Sequence, residues 1–140
     1  MERIIKAIEN NEKIMIFGDY DVDGISASYV MYLFFQKFLE YKNISIQLPS
    51  RLEDGYGIKS YHLDQMKEKG VDLIITVDNG ITAIAEAAYA KEIGLDMVIT
   101  DHHKALAEIP DAVAVINPQI SENYDAKEIC GASVAFKVIA

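Results

Sequence analysis

Five short apolar runs punctuate the chain: Lys13–Phe17, Ile44–Leu48, 72–77, 95–100 and 112–116. Between them the apolar positions recur at helical spacing. Residues 2–10 predict a helix, and 25–40 predict another, with Val30, Leu33, Phe34 and Phe38 on one stripe. Residues 58–69 and 81–93 predict two more, closed by Gly70 and Gly94, a residue type common just past helix ends. A short helical turn is expected near 104–107, and a last helix over 129–140. Pro49 stops the second run, and the turn-rich segment Arg51-Leu52-Glu53-Asp54-Gly55-Tyr56-Gly57 follows it. Strands alternating with helices predict an α/β fold: a mostly parallel sheet of about five strands with right-handed crossovers and helices on both faces.

Polar residues gather where three of the runs end. After Phe17 comes Gly18-Asp19-Tyr20-Asp21-Val22-Asp23-Gly24, after Val77 comes Asp78-Asn79-Gly80, and after Thr100 comes Asp101-His102-His103. Parallel strands present their carboxyl ends on one edge of a sheet, where α/β proteins bind ligands. Carboxylates massed on one edge repel each other unless cations lie between them, which predicts a metal site, and one holding two ions. A donor set of oxygens with some imidazole and no thiolate suits Mn²⁺ or Mg²⁺ better than structural zinc.

Each motif alone is weaker than the set. Asp19, Asp21 and Asp23, two residues apart in an extended segment, would face one way, with Gly24 allowing a sharp turn into the helix. A plain Asx-rich turn is the competing reading. A calcium loop of EF-hand type also opens with this spacing but needs a bidentate glutamate at its twelfth position. Counted from Asp19 that position is Val30, and an apolar strand precedes the loop where a helix is required. Val77-Asp78-Asn79-Gly80 is by itself a turn signal. Arg51 is a candidate for forking onto a phosphate and Tyr56 for stacking on a base. Gly55 and Gly57 permit close backbone approach, although an ordinary tight loop explains the same residues. Thr82 and the amides of residues 80–82 stand at the expected helix start, a natural anion site.

Composition adds bounds. A chain of 140 residues that is 51% apolar and 25% charged predicts one globular domain. It has no apolar run of about 18 residues, hence no expected membrane span. The charged amphipathic start does not read as a signal peptide, and the single cysteine excludes an internal disulfide, so a cytoplasmic protein is expected. The net charge of −9 would argue against a nucleic-acid partner if spread evenly. Five of the aspartates lie at the expected metal site, where two divalent ions would offset them.

Together the three acidic motifs resemble motifs I to III of the DHH phosphoesterases, in the form found in the RecJ-like single-strand-specific exonucleases. Pro49-Ser50-Arg51 with Gly55-Tyr56-Gly57, Ile116-Asn117-Pro118 and Cys130-Gly131-Ala132-Ser133-Val134-Ala135-Phe136-Lys137 extend the resemblance over the whole chain. The resemblance implies Asp21 as a ligand of the first metal, Asp23 and His102 as ligands of the second, and Asp78 as the carboxylate bridging them. It implies His103 as a group meeting the phosphate and Asp101 as the residue orienting the histidines. Where the pyrophosphatase branch has a histidine, this chain has Phe17, and Asp19 is the expected substitute ligand. Arg51, Tyr56, Gly57 and Thr82 complete the expected substrate contacts.

The implied activity is metal-dependent 5′→3′ hydrolysis of single-stranded DNA in repair and recombination, with a single-strand-binding protein as a possible partner. Phosphodiesterases of short oligonucleotides or cyclic dinucleotides, and non-catalytic DNA-binding relatives, are the alternatives. The uncapped apolar stretch 132–140, and the family's fourth acidic motif and second domain, predict a DHH domain cut short at its C-terminus and inactive alone.

Overall fold

The runs read as strands pair into one sheet in the computed structural model, which describes residues 1–140. The strands are β1 (Ile14–Phe17), β2 (Ile44–Gln47), β3 (Leu73–Val77), β4 (Asp96–Thr100) and β5 (Ala114–Ile116). Their order is β2-β1-β3-β4-β5, and every pairing is parallel. The helices are α1 (Glu2–Glu9), α2 (Val22–Leu33), α3 (Ser60–Glu68), α4 (Ile84–Glu92) and α5 (Gly131–Ile139). The expected α/β architecture is therefore the observed one.

The runs are continuous rather than alternating because β1 and β3 are buried on both faces, as parallel strands are. Ile14, Ile16, Leu73, Ile75 and Val77 pack on one side with Ala7 of α1, Ala27 and Met31 of α2 and Ala135 of α5. Met15, Phe17, Ile74, Met97 and Ile99 pack on the other with Leu63 and Met66 of α3 and Ala87 and Ala90 of α4. The strands that precede the three acidic motifs are adjacent: β1, β3 and β4. The chain reverses its direction of winding between β1 and β3, the crevice in which such sheets bind ligands.

Several boundaries differ from expectation. α2 begins at Val22, not near residue 25, because the Asp21 carboxylate accepts from the Gly24 amide at 2.7 Å and caps the helix there. Its last turn, Phe34–Phe38, widens into a π-helical turn closed by Leu39 N–H to Phe34 C=O, which buries Phe35 and leaves Phe38 exposed. α4 starts at Ile84 rather than 81; a turn precedes it, in which the Ile81 amide bonds the Asp101 carboxylate at 3.0 Å and the Ala83 amide bonds the Gly80 carbonyl at 3.0 Å. Residues 104–107 form no helical turn; the His103 carbonyl accepts from Asn117 Nδ2 at 2.9 Å instead of from a following amide.

The carboxyl ends of β1 and β3 are tied by one side chain. Asn79, fully buried, donates from Nδ2 to the Phe17 carbonyl at 3.1 Å and to the Val77 carbonyl at 3.0 Å. The Thr76 hydroxyl donates to the Asn79 carbonyl at 2.9 Å. Gly80 follows with φ +107, and a Cβ there would come within 2.8 Å of Thr76 Oγ1, so only glycine closes this turn. Replacing Asn79 with alanine withdraws the donor from two buried carbonyls. Asn79→Ala is expected to lower unfolding free energy by about 2–3 kcal/mol, read from the urea midpoint at unchanged m-value.

Candidate metal centre

The first acidic motif is not the extended ladder that its spacing predicts. Asp19 follows β1 and is 3% exposed, accepting from the Tyr20 amide at 2.8 Å. Asp21 is the N-cap of α2 and is exposed, while Asp23 lies inside the first turn of that helix. Helical curvature, not a two-residue period, brings them to one place. Gly24 corrects a second expectation. It has no left-handed φ; its role is close approach, because a Cβ there would fall 2.5 Å from Asp19 Cβ and 2.6 Å from the Asp19 carbonyl.

Asp23 reaches across to α5. Its Oδ2 accepts from the Gly131 amide at 2.6 Å and its Oδ1 from the Ala132 amide at 2.9 Å. These are two of the unpaired donors at the start of α5, so a carboxylate on one helix caps another. Burial works against its charge, but the amides of Ala132 and Gly131 win, with help from His102, and hold the Asp23 carboxyl below the usual range.

Asp78 ends β3 with φ +60, a left-handed conformation uncommon outside glycine and found at functional turns. The turn aims its carboxyl into the crevice, where it is 1% exposed. Neither oxygen receives a hydrogen bond, although His102 Nε2 stands 2.8 Å from Oδ1. Gly131 seals the far side: a Cβ there would lie 2.5 Å from Asp78 Oδ1 and 2.6 Å from its Cβ. Burial, then the charges of Asp23 and Asp21, push the Asp78 carboxyl up to about 9. Asp19 is raised as well, by burial first and the Asp21 charge further down, against the pull of the Tyr20 amide.

The third motif is organised by Asp101, which is fully buried. Oδ2 accepts from Ile81 N–H, and Oδ1 from the amides of His102 at 2.8 Å and His103 at 3.3 Å. Oδ1 also lies 2.6 Å from His103 Nδ1. With Asp101 acting only as acceptor, the network assigns the proton to Nδ1 and leaves His103 Nε2 with a free lone pair. His102 points inward, its Nε2 2.8 Å from Asp78 and 3.4 Å from Asp23 Oδ2.

These donors fall into two sets. Asp19, Asp21 and Asp78 bring one oxygen each within 4.8 Å of one another, and Asp78, Asp101, His102 and His103 do the same with oxygen and nitrogen. Asp78 belongs to both. Ligands about 2.1 Å from an octahedral cation stand about 3 Å apart, close to the 2.8 and 3.4 Å that separate His102 Nε2 from Asp78 Oδ1 and Asp23 Oδ2. A buried, undonated carboxylate within two such sets fits hard divalent cations.

The expected substrate residues are placed as follows. Tyr56 sits between Gly55 at φ +69 and Gly57 at φ +84, which turn the chain on either side of it. Its hydroxyl donates to the Asp78 carbonyl at 3.1 Å and lies 2.9 Å from His103 Nδ1, with the ring edge-on to His103. Burial, followed by the charges of Asp101 and Asp78, raises the Tyr56 phenol, which stays a donor. The Arg51 guanidinium is exposed and stands 5.8 Å over the Tyr20 ring. Thr82 is exposed in the turn before α4, and of the amides expected there for an anion, that of Ile81 bonds the Asp101 carboxylate. Asn79, Gly131 and Asn117 were not among the expected site residues. Their signal is faint in sequence, since each acts through a backbone contact rather than through chemistry of its own.

The profile of the DHH family, N-terminal domain, matches residues 13–140. The chain belongs to the DHH family. The single-stranded-DNA-specific exonuclease RecJ of Bacillus subtilis (strain 168) is 46% identical over 138 residues, 98% of this chain and 17% of that protein. RecJ of Salmonella typhimurium is 39% identical over 137 residues, 97% of this chain and 24% of that protein. A crystal structure of exonuclease RecJ bound to manganese superposes with a TM-score of 0.86 at 30% identity, covering 99% of this chain and 34% of that one. This DHH chain thus spans about a fifth of the length of the curated relatives it matches.

The raised Asp78 carboxyl has a signed consequence. Folding without metal keeps a proton on Asp78 that the unfolded chain releases near its ordinary value, so stability falls as pH rises from about 4 towards 9. In chelator, Asp78→Asn is expected to lose less stability than the parent between pH 5 and pH 8, measured by urea midpoint; a parallel loss in both would refute the assignment. Gly131→Ala is expected to displace Asp78 and weaken Mn²⁺ binding at least about tenfold, measured by calorimetric titration.

Proposed function

We propose that this chain is the metal-binding part of a single-stranded-DNA-specific exonuclease that cleaves phosphodiester bonds 5′→3′ with two Mn²⁺ or Mg²⁺ ions. The observation that carries the reading is the sharing of Asp78 between two donor sets. The similarity to RecJ proteins, one of them solved with manganese, supports the choice of substrate and metal. Two divalent ions, when bound, supply an activated water and neutralise charge on the phosphate.

The chain's own residues do the remainder. Asp19 and Asp21 would hold one cation with Asp78, and Asp23 and His102 would hold the other with the same carboxylate. Asp101 accepts from His103 Nδ1–H and orients the ring, whose Nε2 meets the phosphate as an N–H donor in the imidazolium form. Arg51 neutralises a phosphate oxygen, and its pairing with Tyr20 pre-orders the guanidinium. Tyr56 and Gly57 shape the approach of the strand, and Thr82 lies at its margin. The setting is the cytoplasm, where DNA ends and single-strand-binding protein meet. No helix is long and apolar enough to cross a membrane.

Two measurements test this. Calorimetric titration with Mn²⁺ is expected to give two ions per chain, and Asp78→Asn to lose both. At a hundred times Kd the ions are expected to raise unfolding free energy by about 2.7 kcal/mol each. For activity, the chain replaces the matching 138 residues of Bacillus subtilis RecJ, and nucleotide release from labelled single-stranded DNA is followed. Asp78→Asn is expected to reduce turnover at least about a hundredfold. Undiminished turnover refutes the two-metal reading. Cleavage confined to dinucleotides favours a short-oligonucleotide phosphodiesterase.

A further inference from the structure

The third histidine of the chain belongs to none of the acidic motifs, yet His62 is only 2% exposed. It stands in the first turn of α3. Its Nδ1 accepts from the Lys59 amide at 2.9 Å, so the proton resides on Nε2. Nε2 lies 3.2 Å from Asp54 Oδ2 and donates to it. The ring lies tilted against Phe17, the last residue of β1, with centroids 4.9 Å apart, and against Tyr61 at 4.3 Å.

Asp54 is the knot of the loop between β2 and α3. Its Oδ2 also accepts from the Ser50 amide at 2.6 Å, its Oδ1 accepts from the Tyr61 hydroxyl, and its own amide donates to the Ser50 carbonyl at 2.9 Å. The Ser50 amide, and after it His62, keep the Asp54 carboxyl below the usual range against the effect of burial. The loop's buried apolar residues, Pro49 and Ile58, stand at its two ends. Between them Arg51, Leu52, Glu53, Gly55 and Tyr56 are all exposed, Leu52 by 96%. With no buried apolar anchor between residues 50 and 57, that stretch relies on Asp54 to keep it from opening locally.

We infer that Asp54 and His62 are positioning residues: through the Phe17 contact at the end of β1 they set the loop that carries Arg51 and brings Tyr56 to the metal centre. The inference deepens the proposed phosphodiesterase function and rests on it for its kinetic part. The chain of contact is continuous. Phe17 immediately precedes Gly18-Asp19, so the loop is referenced to the same strand end as the first acidic motif. At its other end Tyr56 reaches the Asp78 carbonyl and His103. Asp54 and His62 take part in neither metal donor set. Their loss therefore loosens substrate placement and leaves cation binding alone.

The test uses Asp54→Ala, His62→Ala and the conservative His62→Gln, whose amide N–H can stand where Nε2 does. Hydrogen exchange on the chain is expected to speed up at least about tenfold at residues 50–57 in the two alanine variants, with α2 and β3 unchanged and two Mn²⁺ still bound. In the RecJ chimera, KM for a labelled thymidine oligonucleotide is expected to rise at least about tenfold with kcat within about threefold. His62→Gln is expected to restore KM. Unchanged exchange in the loop overturns the inference, as does a fall in kcat at constant KM or a loss of Mn²⁺ binding. If the unmodified chimera fails to cleave DNA, the proposed function falls, and the exchange and Mn²⁺ measurements alone still decide the anchor.

Discussion

One buried carboxylate without a donor governs the carboxyl edge of this sheet. Asp19, Asp21, Asp23 and Asp101 each accept at least one backbone amide: Tyr20, Gly24, the pair Gly131 and Ala132, and the group around Ile81. Asp78 accepts none. The amides favour the charged form at four fixed positions, while the fifth carboxylate lacks any amide and faces only His102 Nε2. Left to itself it keeps a proton, as its elevated carboxyl shows. A cation placed between Asp78 and its neighbours removes that conflict. The left-handed turn, Gly80, the Asn79 tie and the close approach of Gly131 all serve to hold this carboxylate where it would not otherwise remain.

The helices on the α1 face belong to the site as much as to the core. α2 and α5 pack side by side with their N-termini at the crevice, and Asp23 joins them. A side chain that serves as both cap and ligand candidate makes helix docking and cation binding parts of one equilibrium. Residues Cys130 and Gly131 are therefore not a passive lead into α5. Glycine is required where α5 begins because Asp78 fills the space a Cβ would take.

Fold class, strand number and the three acidic motifs were legible because they rest on short-range patterns: apolar runs, helical periodicity and polar clusters at run ends. The strand order could not be read that way, since it depends on which runs pair. Asp23 shows the same limit at residue scale. Its spacing from Asp19 and Asp21 suggested an extended ladder, but the Asp21 cap started the helix early and placed it by helical geometry. Thr82 was expected at a helix start that lies three residues further on, after a turn whose Ile81 amide is taken by Asp101, twenty residues away. Gly131 and Asn79 escaped notice since their importance lies in what touches them across the sheet. Motif resemblance named the candidate ligands more fully than periodicity could, while their mutual geometry waited for the fold.

The strand order has a further consequence. The three strands that precede the acidic motifs, β1, β3 and β4, occupy the middle of the sheet, flanked on both sides. The exposed loop carrying Arg51 and Tyr56 springs from β2, an edge strand, and can lengthen outward without disturbing its neighbours. These two parts tolerate substitution under different physical rules. Changes in the interior strands disturb every ligand distance at once, whereas edits to the rim loop alter what reaches the crevice. A scaffold divided in this way lets lineages diversify in what they admit while inheriting the same cage of carboxylates.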